Sequence, residues 1–254
     1  MTPLDIESVR RRLPDRRIEY HSAIDSTMYR AARLAAEGCA SGSVVIAEEQ
    51  SAGQGRHGRS WHSEAGLGIY CSVVLRLPLA PESLPVLTLA LGLAAVDAIW
   101  RAAEIRCDLR WPNDVMLGGN KVAGILARRA DSAVIAGIGI NVNHASFPAA
   151  LAPEATSLRL YAGRIFSRED LLAALLPSID RFAETLVEQG REAILRLFAN
   201  SSSYASGKRV TVQQPGGMIE GVTAGLNASG FLVVRTDNGI DNLILAGGVR
   251  AAGS

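Results

Sequence analysis

The segment that most constrains this chain covers residues 50–61, Gln-Ser-Ala-Gly-Gln-Gly-Arg-His-Gly-Arg-Ser-Trp. Three glycines alternate with two arginines and a histidine, and a tryptophan ends the run. Glycine lets a backbone approach a ligand closely and adopt turns with φ > 0. Arginine offers a planar, permanently charged fork that suits phosphate and carboxylate groups. The composition therefore predicts a loop that closes over an anionic ligand such as a nucleotide or an activated acid.

Two common glycine motifs are excluded by the residues C-terminal to the loop. Gly53, Gly55 and Gly58 have the spacing of a dinucleotide fingerprint, but that fingerprint opens an apolar helix. Here the sequence Arg-Ser-Trp-His-Ser comes next, at residues 59–63, and then a predicted strand. The absence of a Gly-Lys-Ser/Thr sequence after the loop excludes a P-loop. A solvated surface turn remains the alternative for a lone glycine-rich loop.

The composition predicts a globular chain without bulk affinity for nucleic acid. The 254 residues allow one large or two modest domains, and 26 Lys+Arg against 25 Asp+Glu leave a net charge of +1. Non-specific binding to DNA or RNA needs a basic face, which this balance does not supply. The three cysteines and four histidines have no zinc-ligand spacing, so we expect buried, reduced thiols.

Targeting signals and membrane spans are not expected. Residues 1–17 are charged and have no apolar core of a signal peptide. The longest apolar stretch, residues 84–103, contains Pro85, Thr88 and Asp97, which favours a buried helix over a membrane span. We therefore predict a cytoplasmic protein with no membrane partner.

Apolar periodicity predicts an α/β catalytic region followed by a small β region. A helix is expected after Asp25 or Ser26 as N-cap, with Gly38 as its stop. Further predicted helices cover 85–103, 168–189 and 192–198. Predicted strands cover 43–47, 68–77, 115–127 (a hairpin turning at 118–120) and 132–142. After a small-residue linker at 201–207, short strands are predicted at 208–212, 219–225, 231–235 and 242–245, with turns at 215–217, 228–230 and 237–239.

Several blocks, in this order, resemble the biotin protein ligase family, in its form without an N-terminal DNA-binding domain. The joint pattern covers roughly residues 20–250 and is far more specific than any single block. The matching blocks are Ser26-Thr27, the glycine-arginine loop 50–61, Trp111-Pro112-Asn113-Asp114, Lys121 to Leu126, Gly137 to Asn143, and Gly247 to Arg250.

The resemblance implies a fold and a reaction. The implied fold is α/β (α+β), with a mixed sheet and flanking helices of the class II synthetase-like biotin/lipoate ligase type over residues 1–203, and an SH3-like barrel over 204–254. The implied enzyme uses ATP and Mg²⁺ to convert biotin to biotinyl-5′-AMP, and then transfers biotin to a lysine of the biotin carboxyl carrier protein of acetyl-CoA carboxylase or a similar carrier. Members of this family occur as monomers and homodimers, so a homodimer is a possible assembly.

The resemblance also implies residue roles. Lys121 and Arg56 are the expected catalytic residues, and Asp114 is the expected link to the Mg²⁺ that arrives with ATP. The expected nucleotide-binding residues are Arg56, Arg59, Trp61, Asn113, Lys121 and Asn141. The expected biotin-binding residues are Ser26, Thr27, Met28, Gln50, Gly53, Gln54, Gly55, Arg56, Lys121, Gly124, Gly139 and Ile140. The loop at 51–62 is expected to be mobile without ligand and ordered around the adenylate.

The chain departs from the family pattern at three positions, and three rival functions are weighed against the family's reaction, of which DNA-binding repression is rejected. The family usually has Arg at position 54, Lys at 110 and Asn at 28, where this chain has Gln54, Arg110 and Met28. A biotin-sensing repressor would need a DNA-binding domain, for which the residues before Ser26 are too few. A lipoyl or octanoyl ligase or transferase shares the catalytic fold but lacks this loop together with Trp-Pro-Asn-Asp. A non-catalytic biotin-binding module would need no cationic clamp.

Overall fold

The computed structural model describes residues 2–214 and 217–252, which form two sheets with helices around the larger one. The larger sheet has seven strands in the order β1-β2-β3-β7-β6-β5-β4. Only β1 and β2 pair in parallel, and the other neighbours are antiparallel. The predicted mixed α/β sheet is therefore confirmed. Its strands are β1 Ile18–His21, β2 Val44–Ala47, β3 Gly68–Leu75, β4 Asp108–Arg110, β5 Asp114–Leu117, β6 Asn120–Ala130 and β7 Ala133–Asn141.

Helices cover both faces of this sheet because its central strands are buried on both sides. Among the five described helices, α3 and α5 form one layer over the main core, and α2 packs on the opposite face against a smaller apolar cluster. α3 is long and apolar enough to cross a membrane by composition, but most of its residues are buried in the core, as a core helix requires. The helices are α1 Ile6–Arg12, α2 Thr27–Ala36, α3 Leu84–Ala103, α4 Leu158–Ala162 and α5 Arg168–Ser201.

The side chains of strand β7 point alternately to the two faces of the sheet, and this explains where a cleft forms on the α2 face. Ala136, Ile138 and Ile140 face the main core, whereas Ile135 faces α2. Gly137 and Gly139 follow on the α2 side, because side chains in a strand alternate between faces. The short helix α2 covers the Ile135 end and reaches Gly137 through Met28. The Gly139 end of that face is therefore left for loops and a cleft.

The region around α5 agrees with one local prediction and corrects another. The two helices predicted at 168–189 and 192–198 are the two parts of α5, which breaks at Gly190, where φ is 79° and the backbone is not helical. α5 also continues to Ser201, so the predicted linker begins inside a helix and the next strand starts at Ser206. Elements α1, β1, β4 and α4 were not predicted, because each is short and its apolar residues are too few to give a period.

The C-terminal sheet is a five-stranded antiparallel sheet of the SH3-like kind, in the order β11-β10-β9-β8-β12. The last strand was not predicted as a strand. Of the turn predicted at 215–217, residues 215 and 216 lie outside the described residues. The predicted domain boundary at 203/204 falls in the connection between α5 and this sheet. The strands are β8 Ser206–Gln214, β9 Gly217–Leu226, β10 Leu232–Arg235, β11 Asp241–Ile244 and β12 Gly248–Ala251.

A buried contact attaches the small sheet to the large one. The Trp111 side chain donates its Nε1–H to the Gly230 carbonyl at 2.9 Å. Gly230 has φ of +82°, and its Cα packs so closely on α3 that a Cβ there would lie 3.1 Å from Val86. Glycine is needed at this turn for both reasons. The contact places β8 and β12 beside the open end of the large sheet.

Candidate active site

A cleft of about 1050 Å³ opens on the α2 face of the large sheet, at the glycine end of β6 and β7. Its floor contains Gly124, Gly137 and Gly139, with Gly124 and Gly139 paired across the two strands. A Cβ at Gly139 or Gly124 would overlap the indole ring of Trp61, and one at Gly137 would overlap Met28. The missing side chains of these strand glycines therefore let Trp61 and Met28 approach the sheet closely.

This packing predicts the effect of a single methyl group. Gly139→Ala would push the Trp61 ring away from the floor, and we expect the KM of a substrate that binds in this cleft to rise roughly 10- to 100-fold while the protein stays folded. Steady-state kinetics and circular dichroism measure these two outcomes. Gly248→Ala is the matched control, because Gly248 also lines the cleft and a Cβ there meets nothing within 4 Å. Equal KM values for the two variants would contradict the prediction.

The glycine-arginine segment folds as a small hairpin over this floor. The Trp61 N–H donates to the Gly53 carbonyl at 2.8 Å, and the Gly55 N–H donates to the Arg59 carbonyl at 2.7 Å. The tip carries His57 at φ of 55°, a left-handed conformation that histidine adopts more often than most non-glycine residues. The hairpin therefore presents Arg56 toward the cleft, whereas Arg59 is exposed at its rim.

Arg56 is held by the Trp-Pro-Asn-Asp block. Its Nη1 donates to Asn113 Oδ1 at 3.1 Å, and Asn113 Nδ2 in turn donates to the Ile125 carbonyl at 2.9 Å. Burial and the nearby charge of Arg59 lower the pKa of Arg56, although the Asp114 carboxylate opposes them. An arginine remains charged after such a shift, so Arg56 is a partly desolvated cation that favours an incoming anion.

A charged cluster lies beside Arg56, at the start of strands β5 and β6. Lys121 Nζ lies 2.5 Å from Asp114 Oδ1, and Arg110 Nη2 lies 2.8 Å from Asp114 Oδ2. Burial raises the pKa of Asp114, but the charges and hydrogen bonds of Lys121 and Arg110 outweigh it and hold that pKa below its ordinary value. Lys121 Nζ also lies 5.3 Å from the centre of the Trp61 ring. The cluster carries a net positive charge and opens into the cleft.

The start of α2 is organised differently from the predicted N-cap. Ser26 is at the N-cap position, but its side chain makes no capping bond, and its fully buried Oγ has no partner among the described residues. Gln50 takes over, because its Oε1 accepts from the Thr27 N–H at 2.9 Å and from Thr27 Oγ1 at 3.0 Å. Thr27 Oγ1 also lies 2.8 Å from Ser72 Oγ. The polar end of the cleft is thus a connected network.

The structure brings together most of the residues predicted for the site. Three do not line the cleft: Ser26 is buried behind it, Gly53 is covered by the Trp61 carbonyl, and the Ile140 side chain points into the main core on the other face of β7. Asn141 lines the cleft, but its Nδ2 donates to the Thr156 carbonyl. The predicted residues that line the cleft are Thr27, Met28, Gln50, Gln54, Gly55, Arg56, Arg59, Trp61, Asn113, Asp114, Lys121, Gly124, Gly139 and Asn141.

The sequence predictions missed the far rim of the cleft. Ser72 was hidden in an apolar strand, and Phe147 and Leu151 belong to a loop without a motif. The C-terminal sheet contributes Arg250, which forms an exposed 2.6 Å ion pair with Glu154 across the cleft mouth. Only the resemblance of residues 247–250 to a family block pointed to this end of the chain.

A buried histidine lies beneath the cleft. The His144 side chain is inaccessible to solvent, stacks on Phe147 with 4.9 Å between ring centres, and places Nε2 3.3 Å from the Tyr70 hydroxyl. Burial, with a smaller contribution from His62, lowers the pKa of His144 from 6.5 to about 4. The folded protein therefore holds this ring neutral.

This shift predicts a pH dependence of folding. Between pH 6.5 and 4 the unfolded chain binds a proton at His144 and the folded chain does not, so the free energy of unfolding should fall by roughly 1.4 kcal/mol for each pH unit of acidification. The stability due to neutral His144 is fully present above pH 6.5. Urea unfolding at pH 7 and pH 5 should show this loss in the wild type, and His144→Phe should lack it. Parallel losses in both proteins would contradict the assignment.

The fold and the cleft define a class of protein: ligases that activate a carboxylic acid in a cleft lined by cations and floored by strand glycines. Two family models agree with this class. Residues 20–144 match the biotin/lipoate A/B protein ligase family, and residues 205–247 match the biotin protein ligase C-terminal domain.

Individual relatives show which family the chain belongs to. The chain is 34% identical over 234 residues to the bifunctional ligase/repressor BirA of Bacillus subtilis. The aligned region covers 89% of this chain and 72% of that protein. It is 37% identical over 208 residues to the biotin–[acetyl-CoA-carboxylase] ligase of Mycobacterium tuberculosis, covering 79% and 76%. The biotin protein ligase of Aquifex aeolicus, solved in complex with biotin and ATP, superposes with a TM-score of 0.82 at 30% identity over 93% of this chain and 99% of that one. The chain belongs to the biotin protein ligase family.

Proposed function

We propose that the cleft between the glycine-arginine hairpin and the glycine floor is where biotin and ATP react. The chain is an ATP-dependent biotin–[acetyl-CoA-carboxylase] ligase, as its family membership establishes. The observation that carries the assignment to this cleft is the Lys121–Asp114–Arg110 cluster beside Arg56. It supplies fixed cations at the point where an apolar, glycine-floored groove meets a polar network.

The groove suits biotin in shape and polarity. The biotin ring system needs hydrogen-bond partners at its ureido group and an apolar wall along its thioether ring and chain. Gln50 and Thr27 provide the polar end, together with Ser72, which lies within hydrogen-bond reach of Thr27. Gly124, Gly139 and the Trp61 ring provide the apolar part, and Met28 closes it where the family usually has Asn. Gly53, Gly55 and Gln54 bring the hairpin backbone against the same site, and Ser26 and Ile140 support it from behind.

The first half-reaction joins two anions, the biotin carboxylate and ATP, so the site needs cationic side chains. A carboxylate oxygen of biotin attacks the α-phosphorus of ATP, the bond from that phosphorus to the bridging oxygen breaks, and pyrophosphate leaves. Lys121 and Arg56 offset the like charges as they approach, and this stabilisation grows as charge develops on the phosphoryl oxygens. Arg59, Asn113 and Asn141 complete the nucleotide side, with Trp61 bridging the two substrates.

Mg²⁺ fits this site as a companion of ATP. Among residues 2–214 and 217–252 there is no group of three or more His, Cys, Asp or Glu that could hold a metal ion. Asp114, the residue predicted to reach the metal, has a cation on each carboxylate oxygen, so it is better suited to position Lys121 and Arg110 than to bind Mg²⁺ directly. Mg²⁺ commonly binds mainly through substrate phosphates. When bound there it would neutralise phosphate charge.

The second half-reaction transfers biotin to the carrier. The neutral amine of a lysine on a biotin carboxyl carrier protein attacks the carbonyl carbon of the adenylate, AMP leaves, and the amine loses a proton. At the cleft mouth, Arg250 of the small sheet pairs with Glu154 of the loop between β7 and α4, so we place the approach of the carrier there. Closure of residues 51–62 over the adenylate would exclude water until the carrier arrives.

Two further proposals concern the setting of the enzyme. The near-balanced charge of +1 offers no bulk attraction to DNA, so we propose that the chain has no DNA partner, which a specific, salt-sensitive operator shift would contradict. Cys39 and Cys71 are buried as free thiols, and burial raises the pKa of Cys71 to about 12. Unreactive, reduced thiols and a requirement for ATP suit the cytoplasm.

The experiment that tests the proposed function is ATP–pyrophosphate exchange, which needs no carrier. We expect exchange with biotin and Mg²⁺, and none with lipoate or octanoate. Exchange with lipoate or octanoate alone would favour the lipoyl or octanoyl class. Tight biotin binding by calorimetry without exchange would favour a binding module.

A further inference from the structure

Arg128, which no family block includes, reaches the glycine-arginine hairpin from the sheet. Its Nη1 donates to Gln54 Oε1 at 2.7 Å. Along β6, Gly124, Leu126 and Arg128 share one face because strand side chains alternate. Trp61 lies on Gly124 at one end of this row, and Gln54 meets Arg128 at the other. The hairpin thus contacts the strand at two points.

Few side chains hold the hairpin against the sheet. Its base is attached through its backbone, because the Ser51 and Ala52 N–H groups donate to the carbonyls of Ile24 and Asp25. Beyond the base, the described hydrogen bonds from the hairpin's side chains to the sheet and its adjoining loops are Arg56 to Asn113 and Arg128 to Gln54. The Arg128 contact is therefore one of a small number that favour the closed hairpin.

The same contact orients the Gln54 amide. Guanidinium groups have no acceptor, so the oxygen of the amide has to face Arg128 and its nitrogen has to face away. Gln54 lines the cleft, and its Nε2 is buried with no hydrogen-bond partner among the described residues. A buried donor without a partner is costly, and a ligand acceptor in the cleft would satisfy it.

The contact also explains the departure at position 54. An arginine there, as the family usually has, would place two guanidinium groups side by side in this chain. We propose that Arg128 is a positioning residue that holds the hairpin closed, supplies from the rigid strand the positive charge that position 54 lacks, and directs Gln54 Nε2 toward the bound substrate. The last part of this inference rests on the proposed function of the cleft.

The test compares four variants of the full chain by hydrogen exchange of the amides in residues 51–61 and by pyrophosphate exchange. In Arg128→Ala, we expect these amides to exchange roughly three- to tenfold faster without substrates, as befits one exposed charge-assisted hydrogen bond. The KM for biotin should rise by a similar factor and kcat should stay within about twofold, because the chemistry is untouched. Arg129→Ala is the matched control, because the Arg129 side chain projects from the opposite face of β6. This variant should change neither the amide exchange of residues 51–61 nor the KM for biotin.

Variants that change the charges at positions 54 and 128 test the contact more directly. Gln54→Arg should open the hairpin at least as much as Arg128→Ala, because like charges face each other. Combining Gln54→Arg with Arg128→Glu should restore wild-type amide protection through a new ion pair, which a merely structural role for either residue would not produce. The proposal is overturned if the hairpin amides exchange as slowly in Arg128→Ala as in the wild type. It is also overturned if these amides exchange as fast in the double variant as in Gln54→Arg.

Failure of the proposed function is a separate outcome. A wild-type protein without biotin-dependent exchange would remove the substrate role of Gln54, and amide protection in the substrate-free protein would then decide the hairpin contact alone. An active wild type in which Arg128→Ala changes neither amide exchange nor KM would overturn the hairpin contact and leave the ligase assignment intact.

Discussion

Replacing Lys121 by alanine is expected to reduce biotin-dependent pyrophosphate exchange by roughly 10²- to 10³-fold in kcat, the size of effect seen when one charge-stabilising donor is removed from a transition state. The reason is geometric: Lys121 Nζ lies beside Asp114, at the junction of the glycine floor and Arg56. Its loss leaves Asp114 paired only with Arg110 and lowers the positive charge where two anionic substrates meet.

The chain offers a matched control, because Lys208 is its one other lysine. Lys208 lies in the small sheet with Nζ 5.1 Å from the centre of the Tyr204 ring, away from the cleft. Lys208→Ala should exchange pyrophosphate like the wild type. Lys121→Arg keeps the charge but not the shape, so it should recover only part of the rate. A Lys121→Ala protein that is folded and fully active would remove Lys121 from the mechanism.

Replacing Arg168 by methionine is expected to lower the free energy of unfolding by about 3–5 kcal/mol, the usual cost of leaving one member of a buried ion pair alone. Arg168 Nη1 lies 2.8 Å from Glu48 Oε2, and both side chains are less than a tenth exposed. Glu48 also accepts hydrogen bonds from the Leu4 and Gly66 N–H groups and from the Tyr20 hydroxyl. The pair joins the N-terminal segment, two loops and α5, so its loss affects the whole catalytic fold.

The pH dependence separates this effect from lost packing. Burial raises the pKa of Glu48, but Arg168 and the other hydrogen bonds outweigh it, so in the wild type that pKa is below the ordinary 4.5. This contribution to stability is complete above pH 4.5 and is lost as pH falls through the lower folded value. Without Arg168, burial would instead raise the pKa of Glu48. The deficit of Arg168→Met should therefore be largest near pH 7 and shrink toward pH 5 as Glu48 takes up a proton.

An exposed pair in the same region is the control. Arg12 and Asp170 link α1 and α5 at 2.6 Å, but both side chains are about half exposed. Arg12→Met should cost less than about 1 kcal/mol, because solvent screens surface ion pairs. Urea unfolding of both variants at pH 7 measures the comparison. Equal losses in the two variants would mean that burial does not set the strength of the Glu48–Arg168 pair.

Much of the fold could be predicted because the signals are local. The β-branched runs at β2 and β7, the apolar helix α3 and the turns of the small sheet each show within a few residues. The break in α5 at Gly190 falls between the two predicted helices, whereas the extension of α5 to Ser201 was not predicted, because the sequence of residues 201–207 is typical of a small-residue linker. The short strand β1 and the segment before α1 are tied to the rest of the fold by Glu48, which accepts hydrogen bonds from the Tyr20 hydroxyl and the Leu4 N–H and pairs with Arg168, 120 positions away.

The sequence by itself determined the family, the glycine-arginine loop and the residues of Trp-Pro-Asn-Asp and Lys121, because these blocks keep their spacing along the chain. Only the tertiary structure decided which of them meet. It placed Ile140 in the core while Gly139 faces the cleft, made Gln50 rather than Ser26 bond to the first helical N–H of α2, and brought Arg128 to Gln54. The physical reason is that strand pairing and burial set side-chain direction through contacts distant in sequence, which residue spacing does not encode.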